Sequence, residues 1–146
     1  MLAVSLGQAF ATDWRGRPAH MSALDFVLWQ RFRGPNLGGF SRIYFDVGLG
    51  GETATGPDVS EAVAGAWSRL TAFRADVVGF ALDHWTIIEL RAAAGPGALG
   101  SLITYQSLWA QSPPDTLPVE LWLVTDSMST GLKPSLAAAG IKLFLV

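Results

Sequence analysis

Cysteine is absent from the chain. That excludes disulfides and thiolate metal sites and leaves the redox compartment open. Charge is scarce: 15% of the residues are Asp, Glu, Lys or Arg, against about a quarter in an average domain. Lysine is scarcer still, with Lys133 and Lys142 beside eight arginines. No apolar run approaches the ~18 residues that would span a bilayer, so no membrane span is expected. Internal repeats and low-complexity tracts are missing as well. The start, Met1 to Ala11, lacks a positively charged leader region and reads as mature protein.

What the chain has in plenty is apolar surface. Half of its 146 residues are hydrophobic, which excludes a disordered segment and suits one domain with one core. Two readings of this excess stand side by side. One is a rich core; the other is an apolar face that docks on a partner or on copies of the chain, giving a homo-oligomer or a larger assembly. The net charge of -2 gives no global pull toward nucleic acid. Residues 1–46 nevertheless carry a net +2 and residues 47–146 a net -4, so nucleic acid stays open as a partner. The compartment is not specified beyond a soluble protein, cytoplasmic or in a virion.

Hydrophobic periodicity supplies the elements. Asp13 to Pro18 reads as a loop, and the residues before it as a short strand or helix. Met21 to Arg33 reads as a helix capped by Ser22, with Leu24, Val27, Leu28 and Arg31 on one face and Gly34-Pro35-Asn36 ending it. Ser41 to Val47 alternates as a strand. Residues 48–57 read as loop and Ser60 to Arg69 as a helix. Asp76 to Ala81 and Trp85 to Arg91 are β-branched runs that read as a hairpin. Ala98 to Gln111 is an amphipathic helix, with Leu99, Leu102, Ile103, Gln106 and Trp109 on one side. Val119 to Thr125 is continuous enough for a central strand covered on both faces. A short helix through Ala139, closed by Gly140, leads to a last strand over 141–146. Helices between strands favour crossovers, so the fold class is α/β, a mixed central β-sheet flanked by helices. Residues 1–20 form an N-terminal extension to a single domain whose core is 21–146.

The hairpin carries the constellation with chemistry in it. With Asp83 and His84 as a two-residue turn, Leu82 pairs with Trp85, Val78 lies opposite Glu89 and Asp76 opposite Arg91. Period-two alternation then places Asp76, Glu89 and Arg91 on one face. Adjacent carboxylates repel unless a cation sits between them. Magnesium accepts one or two carboxylates together with waters and phosphate oxygens, and the Leu90 carbonyl is a further ligand within reach. An ordinary cross-strand salt bridge explains the same spacing.

The run Arg74 to Gly79, the turn, and Trp85-Thr86-Ile87-Ile88-Glu89-Leu90-Arg91 resemble the core of the PD-(D/E)XK nuclease superfamily. There an Asp opens one strand, and an acid, any residue and a Lys follow on the next. Ala98 to Tyr105 is similar to the helix that follows the motif, Val119 to Asp126 to the next core strand, and Asp25 to Phe32 to the first helix. The resemblance implies a restriction-endonuclease-like core. It implies Asp76 and Glu89 as magnesium ligands, Asp76, Glu89 and Arg91 as the catalytic set, and Asp25 as a helper acid. The chain departs from the pattern twice. Arg91 replaces the Lys and cannot act as a base, although it can stabilise charge on a phosphate undergoing attack. Ser101 stands where many members carry Gln.

Other motifs are weaker. Gly48-Leu49-Gly50-Gly51 has no Gly-Lys-Ser/Thr after it and reads as a turn. His20 and His84 lack zinc-site spacing. Trp14 and Trp29 near Arg15, Arg17, Arg31 and Arg33 suit base stacking, or, more plainly, core packing for Trp29 and an assembly contact for Trp14. Two functions follow: a catalytically degenerate nuclease-fold domain serving as a structural or assembly module, as in a phage virion, or an active magnesium-dependent nuclease of DNA or RNA.

Overall fold

The computed structural model describes residues 4–50, 56–62 and 73–146. Among the described residues the elements follow in order: β1 (Val4–Ser5), α1 (Ala23–Phe32), a 3-10 turn (Pro35–Leu37), β2 (Arg42–Leu49), β3 (Phe73–Phe80), β4 (Trp85–Leu90), α2 (Pro96–Gln111), β5 (Val119–Thr125), α3 (Leu132–Ala138) and β6 (Ile141–Leu145). The helix expected over Ser60 to Arg69 lies for the most part outside the described residues.

The six described strands form one sheet in sequence order. The pairs from β1 to β4 are antiparallel, and β4–β5 and β5–β6 are parallel. The two parallel pairs are those separated in sequence by α2 and α3, because a helix must return the chain to the same end of the sheet. Every residue of β4 is buried, as a central strand between two helical layers requires. α1 covers one face through Leu28, Trp29 and Phe32, which pack with Ile43, Val77, Ile88, Leu90 and Val124. α2 and α3 cover the other through Ala98, Leu102, Tyr105, Trp109, Leu132 and Leu136, against Val78, Ile87, Leu121 and Leu123.

Helix ends follow local chemistry. Ser22 Oγ accepts the Asp25 N–H at 3.1 Å, and Pro96 opens α2, where its missing donor costs nothing. The faces of the two long helices match the expected ones in part, with Leu28, Leu102 and Trp109 buried. Leu24 is 69% exposed, Val27 43% and Ile103 46%, while Trp29, Ala98 and Tyr105 point inward. The reason is where each helix lands on the sheet: Trp29 meets Phe45 edge-on at 5.5 Å, and Trp109 meets Trp85 at 5.4 Å. Filling those aromatic contacts fixes the rotation of each helix.

Two features of the sheet position the site. β2 runs on through Gly48 and Leu49, which the sequence assigned to a loop. Within it Asp46 takes φ +52°, a left-handed conformation that Asp tolerates better than most residues. Phe45 pairs with Val77 and Val47 with Ala75, but Asp46 and Asp76 between them do not pair. Side chains change faces there: Phe45 and Val77 pack toward α1, whereas Val47 and Ala75 pack toward α2.

The second feature is the hairpin register. Val78 lies opposite Ile87 and Phe80 opposite Trp85, and the Ala81 N–H donates to the His84 carbonyl at 2.9 Å. The turn residues are therefore Leu82 and Asp83, one position earlier than Asp83 and His84. The expected pairing of Asp76 with Arg91 and Val78 with Glu89 is corrected accordingly. The physical cause is the aromatic pair Phe80–Trp85, with ring centroids 4.5 Å apart, which outweighs a Leu82–Trp85 pair and leaves Leu82 88% exposed at the tip.

Candidate active site

The slip moves every partner by two residues, an even number. Glu89 therefore stays on the face of Ile87, and it becomes the opposite neighbour of Asp76 at the open end of the hairpin, where the β3 side chains change faces. Ladder pairing between β3 and β4 stops at Val77–Ile88. Beyond it the Asp76 side chain enters the gap, and Oδ2 accepts the Leu90 N–H at 2.8 Å. Burial raises the Asp76 pKa above the usual carboxylate range, and the Leu90 N–H works against that shift. The Asp25 charge at the start of α1 also raises it.

Glu89 is 4% exposed. Burial, and then the Asp76 charge, push its carboxyl up to about 8. The two acids thus behave as one unit that keeps a proton at neutral pH. Oε1 lies 3.6 Å from Arg91 Nη2. Oε2 is buried and has no hydrogen-bond partner among the described residues. Arg91 also reaches α2, where Nη2 donates to Ser101 Oγ at 3.4 Å. Its contact to Glu89 is long for a guanidinium on a carboxylate, which normally closes to about 2.7–2.9 Å.

Asp76, Glu89, Arg91 and Ser101 are thus brought together from three elements. Three further residues at the site carried no sequence signal of their own. Tyr105 is buried beside Glu89 and Ser101; burial, then the Glu89 and Asp76 charges, raise its pKa and keep its hydroxyl protonated. On the α1 side a small cleft of about 20 Å³ is lined by Pro18, His20, Met21, Phe45, Asp46 and Asp76. Asp46 Oδ2 there stands 3.4 Å from Arg74 Nη1 and 3.9 Å from His20 Nε2. These depend on how the N-terminal segment and α2 dock, which spacing along the chain does not encode.

The remaining candidates lie elsewhere. His84 sits next to the turn, with Nδ1 2.7 Å from Asp83 Oδ1 and Nε2 3.8 Å from Glu120 Oε2. Trp29 is in the core. Trp14 is half-buried against Phe10, at 4.4 Å, and Phe45, at 5.6 Å, so it closes the N-terminal segment over β2.

The donor set suits a hard cation. Among the described residues no group of three or more His, Cys, Asp or Glu side chains is gathered to hold a metal. A zinc site needs at least that many, whereas magnesium takes one or two carboxylates and completes its shell with water or phosphate. A buried pair of carboxyls, one oxygen of which has no hydrogen-bond partner among the described residues, is relieved by a proton or by a cation.

No family model matches the chain, and no curated protein does. Its structure is similar to the crystal structure of a repair endonuclease from Pyrococcus abyssi, with a TM-score of 0.51 and 16% sequence identity. The match covers 90% of this chain and 49% of that one, so the chain spans about half the length of its structural neighbour. At that identity the likeness concerns the fold. The chain has an α/β fold, a mixed sheet flanked by helices, similar to that of the repair endonuclease. Among the described residues no helix is long and apolar enough to cross a membrane.

Proposed function

We propose that this is a nuclease-fold domain with an attenuated cation site, acting as a structural or assembly module. The observation that carries the reading is the Arg91–Glu89 contact at 3.6 Å. A fixed positive charge sits where a lysine would position or activate water, and it compensates part of the charge that would attract magnesium. Glu89, held up to about 8, supplies no full negative charge at neutral pH. Assembly with copies of itself or with a larger structure such as a virion fits the high apolar content. The test is incubation of the protein with DNA and RNA, with and without magnesium or manganese, beside Glu89→Ala. The expected result is no metal-dependent cleavage. Cleavage that Glu89→Ala abolishes would overturn the reading.

A second reading, an active magnesium-dependent nuclease, is favoured by one observation: Glu89 Oε2 is buried without a partner among the described residues. Magnesium would supply Lewis acidity and lower the pKa of water. Asp76 and Glu89 would hold it, and the Leu90 N–H would keep Asp76 in place. Arg91, positive at any usable pH, would stabilise charge developing on the phosphate and could not take the proton from water.

A further inference from the structure

Glu89, Arg91, Ser101 and Tyr105 face one another between β4 and α2. Arg91 Nη2 lies 3.6 Å from Glu89 Oε1 and 3.4 Å from Ser101 Oγ. Tyr105 stands one helical turn beyond Ser101, 7% exposed and close enough to interact with Ser101 and Glu89. Gly97 stands one turn before Ser101, and a Cβ added there would lie 3.3 Å from Arg91 Nη1. Positions 97, 101 and 105 fall on one face of α2 because residues four apart on a helix are neighbours. This face offers the guanidinium a niche without a side chain, then a hydroxyl, then a phenol.

The geometry raises a physical question. A free guanidinium beside a buried carboxylate closes onto it with two short bonds. Arg91 does not, and Glu89 Oε2 is left without a partner among the described residues. We propose that Ser101 and Tyr105 are positioning residues. Ser101 draws Arg91 onto α2 in the niche left by Gly97, and Tyr105 fixes the Glu89 carboxyl, so that Oε2 stays clear of the guanidinium. The inference rests on the reading of Asp76 and Glu89 as an attenuated cation site. It assigns the degree of attenuation to α2.

Two measurements test it. The first is magnesium affinity by calorimetry for wild type, Ser101→Ala, Ser101→Thr and Tyr105→Phe, each also in an Arg91→Lys background. Ser101→Ala releases Arg91 onto Glu89, and affinity falls about three- to tenfold, the worth of one hydrogen bond. Ser101→Thr keeps the hydroxyl and restores affinity. Tyr105→Phe keeps the ring packing and still weakens binding. With Arg91→Lys in place, Ser101→Ala has no effect, because no guanidinium remains to collapse. A merely structural role for Ser101 predicts equal losses in both backgrounds and overturns the inference.

The second measurement needs no metal. The Arg91 side-chain N–H resonance shifts in Ser101→Ala, returns in Ser101→Thr and moves in Tyr105→Phe. An unchanged resonance overturns the positioning role. Absence of magnesium binding in wild type and in Arg91→Lys, with the resonance responding as stated, overturns the cation-site reading and leaves the positioning intact.

Discussion

Asp76 Oδ2 accepts the Leu90 backbone N–H at 2.8 Å, just past the point where β3 and β4 stop pairing as strands. A side chain thus satisfies a donor that the ladder has abandoned, and the same bond fixes Asp76 against Glu89, one residue before Leu90. Asp76→Ala leaves that donor unsatisfied and costs about 1–3 kcal/mol. Asp76→Asn retains an oxygen acceptor and loses less. In both variants Glu89 loses its charged neighbour, so its pKa falls from about 8 toward the ordinary carboxylate range. Denaturant unfolding and a carboxyl-resolved NMR titration check the two effects.

Stability should depend on pH with a definite sign. Glu89 titrates near 8 in the folded chain, against a reference of 4.5. Between those values the folded state holds a proton that the unfolded state has released. Stability therefore decreases as pH rises through that window, and the loss is complete above about 8. The slope inside the window is about 1.4 kcal/mol per pH step of one. Asp76, also raised, adds in the same direction. Glu89→Gln, neutral throughout, flattens most of the slope and melts higher than wild type at pH 8. Melting temperatures from pH 5 to pH 9 decide this, and a slope unchanged in Glu89→Gln would contradict it.

Much of the fold was legible in the sequence because its signals are local. Ser22 caps α1, and β5 matches its apolar run over Val119–Thr125, while α2 starts at Pro96, two residues before the expected Ala98. The faces of Val78, Ile87 and Glu89 were legible too, since alternation survives an even slip, but the change of face at Asp76 was not. The register was not, because it is decided by the Phe80–Trp85 ring contact and not by the polarity of Asp83 and His84. The rotation of α1 and α2 was read only in part: Leu28, Leu102 and Trp109 are buried as expected, whereas Leu24 and Ile103 are turned outward by the aromatic contacts of Trp29 and Trp109. Spacing and resemblance singled out Asp76, Glu89 and Arg91, and the structure places the three side chains near one another. Tyr105, Asp46 and His20 escaped because docking of separate segments brings them there.

Gly79 gives a test of the packing between the sheet and the segment after α1. A Cβ at this position would stand 2.7 Å from the Phe40 ring, which lies over the strand. Gly79→Ala is expected to destabilise the fold by about 1–3 kcal/mol as the ring is displaced. Gly100→Ala, where nothing lies within 4 Å of the added atom, is neutral or mildly stabilising within a helix. Equal stability of the two variants would contradict the packing described for Phe40.

The proposed assembly role has its own consequence. Large apolar side chains remain exposed at several places, among them Leu24 and Val27 on α1. Light scattering at high protein concentration is expected to show a stable assembly. A monomer at every concentration would count against the assembly role.

The central claim is that Arg91 attenuates a cation site whose ligands, Asp76 and Glu89, are still in place. Calorimetric titration of magnesium and manganese into wild type and Arg91→Lys tests it most directly. A flexible ammonium moves aside where a planar guanidinium stays with the carboxylates, so the account predicts weak binding in wild type and tighter binding in Arg91→Lys. Tight binding in wild type, or none in either protein, would contradict it.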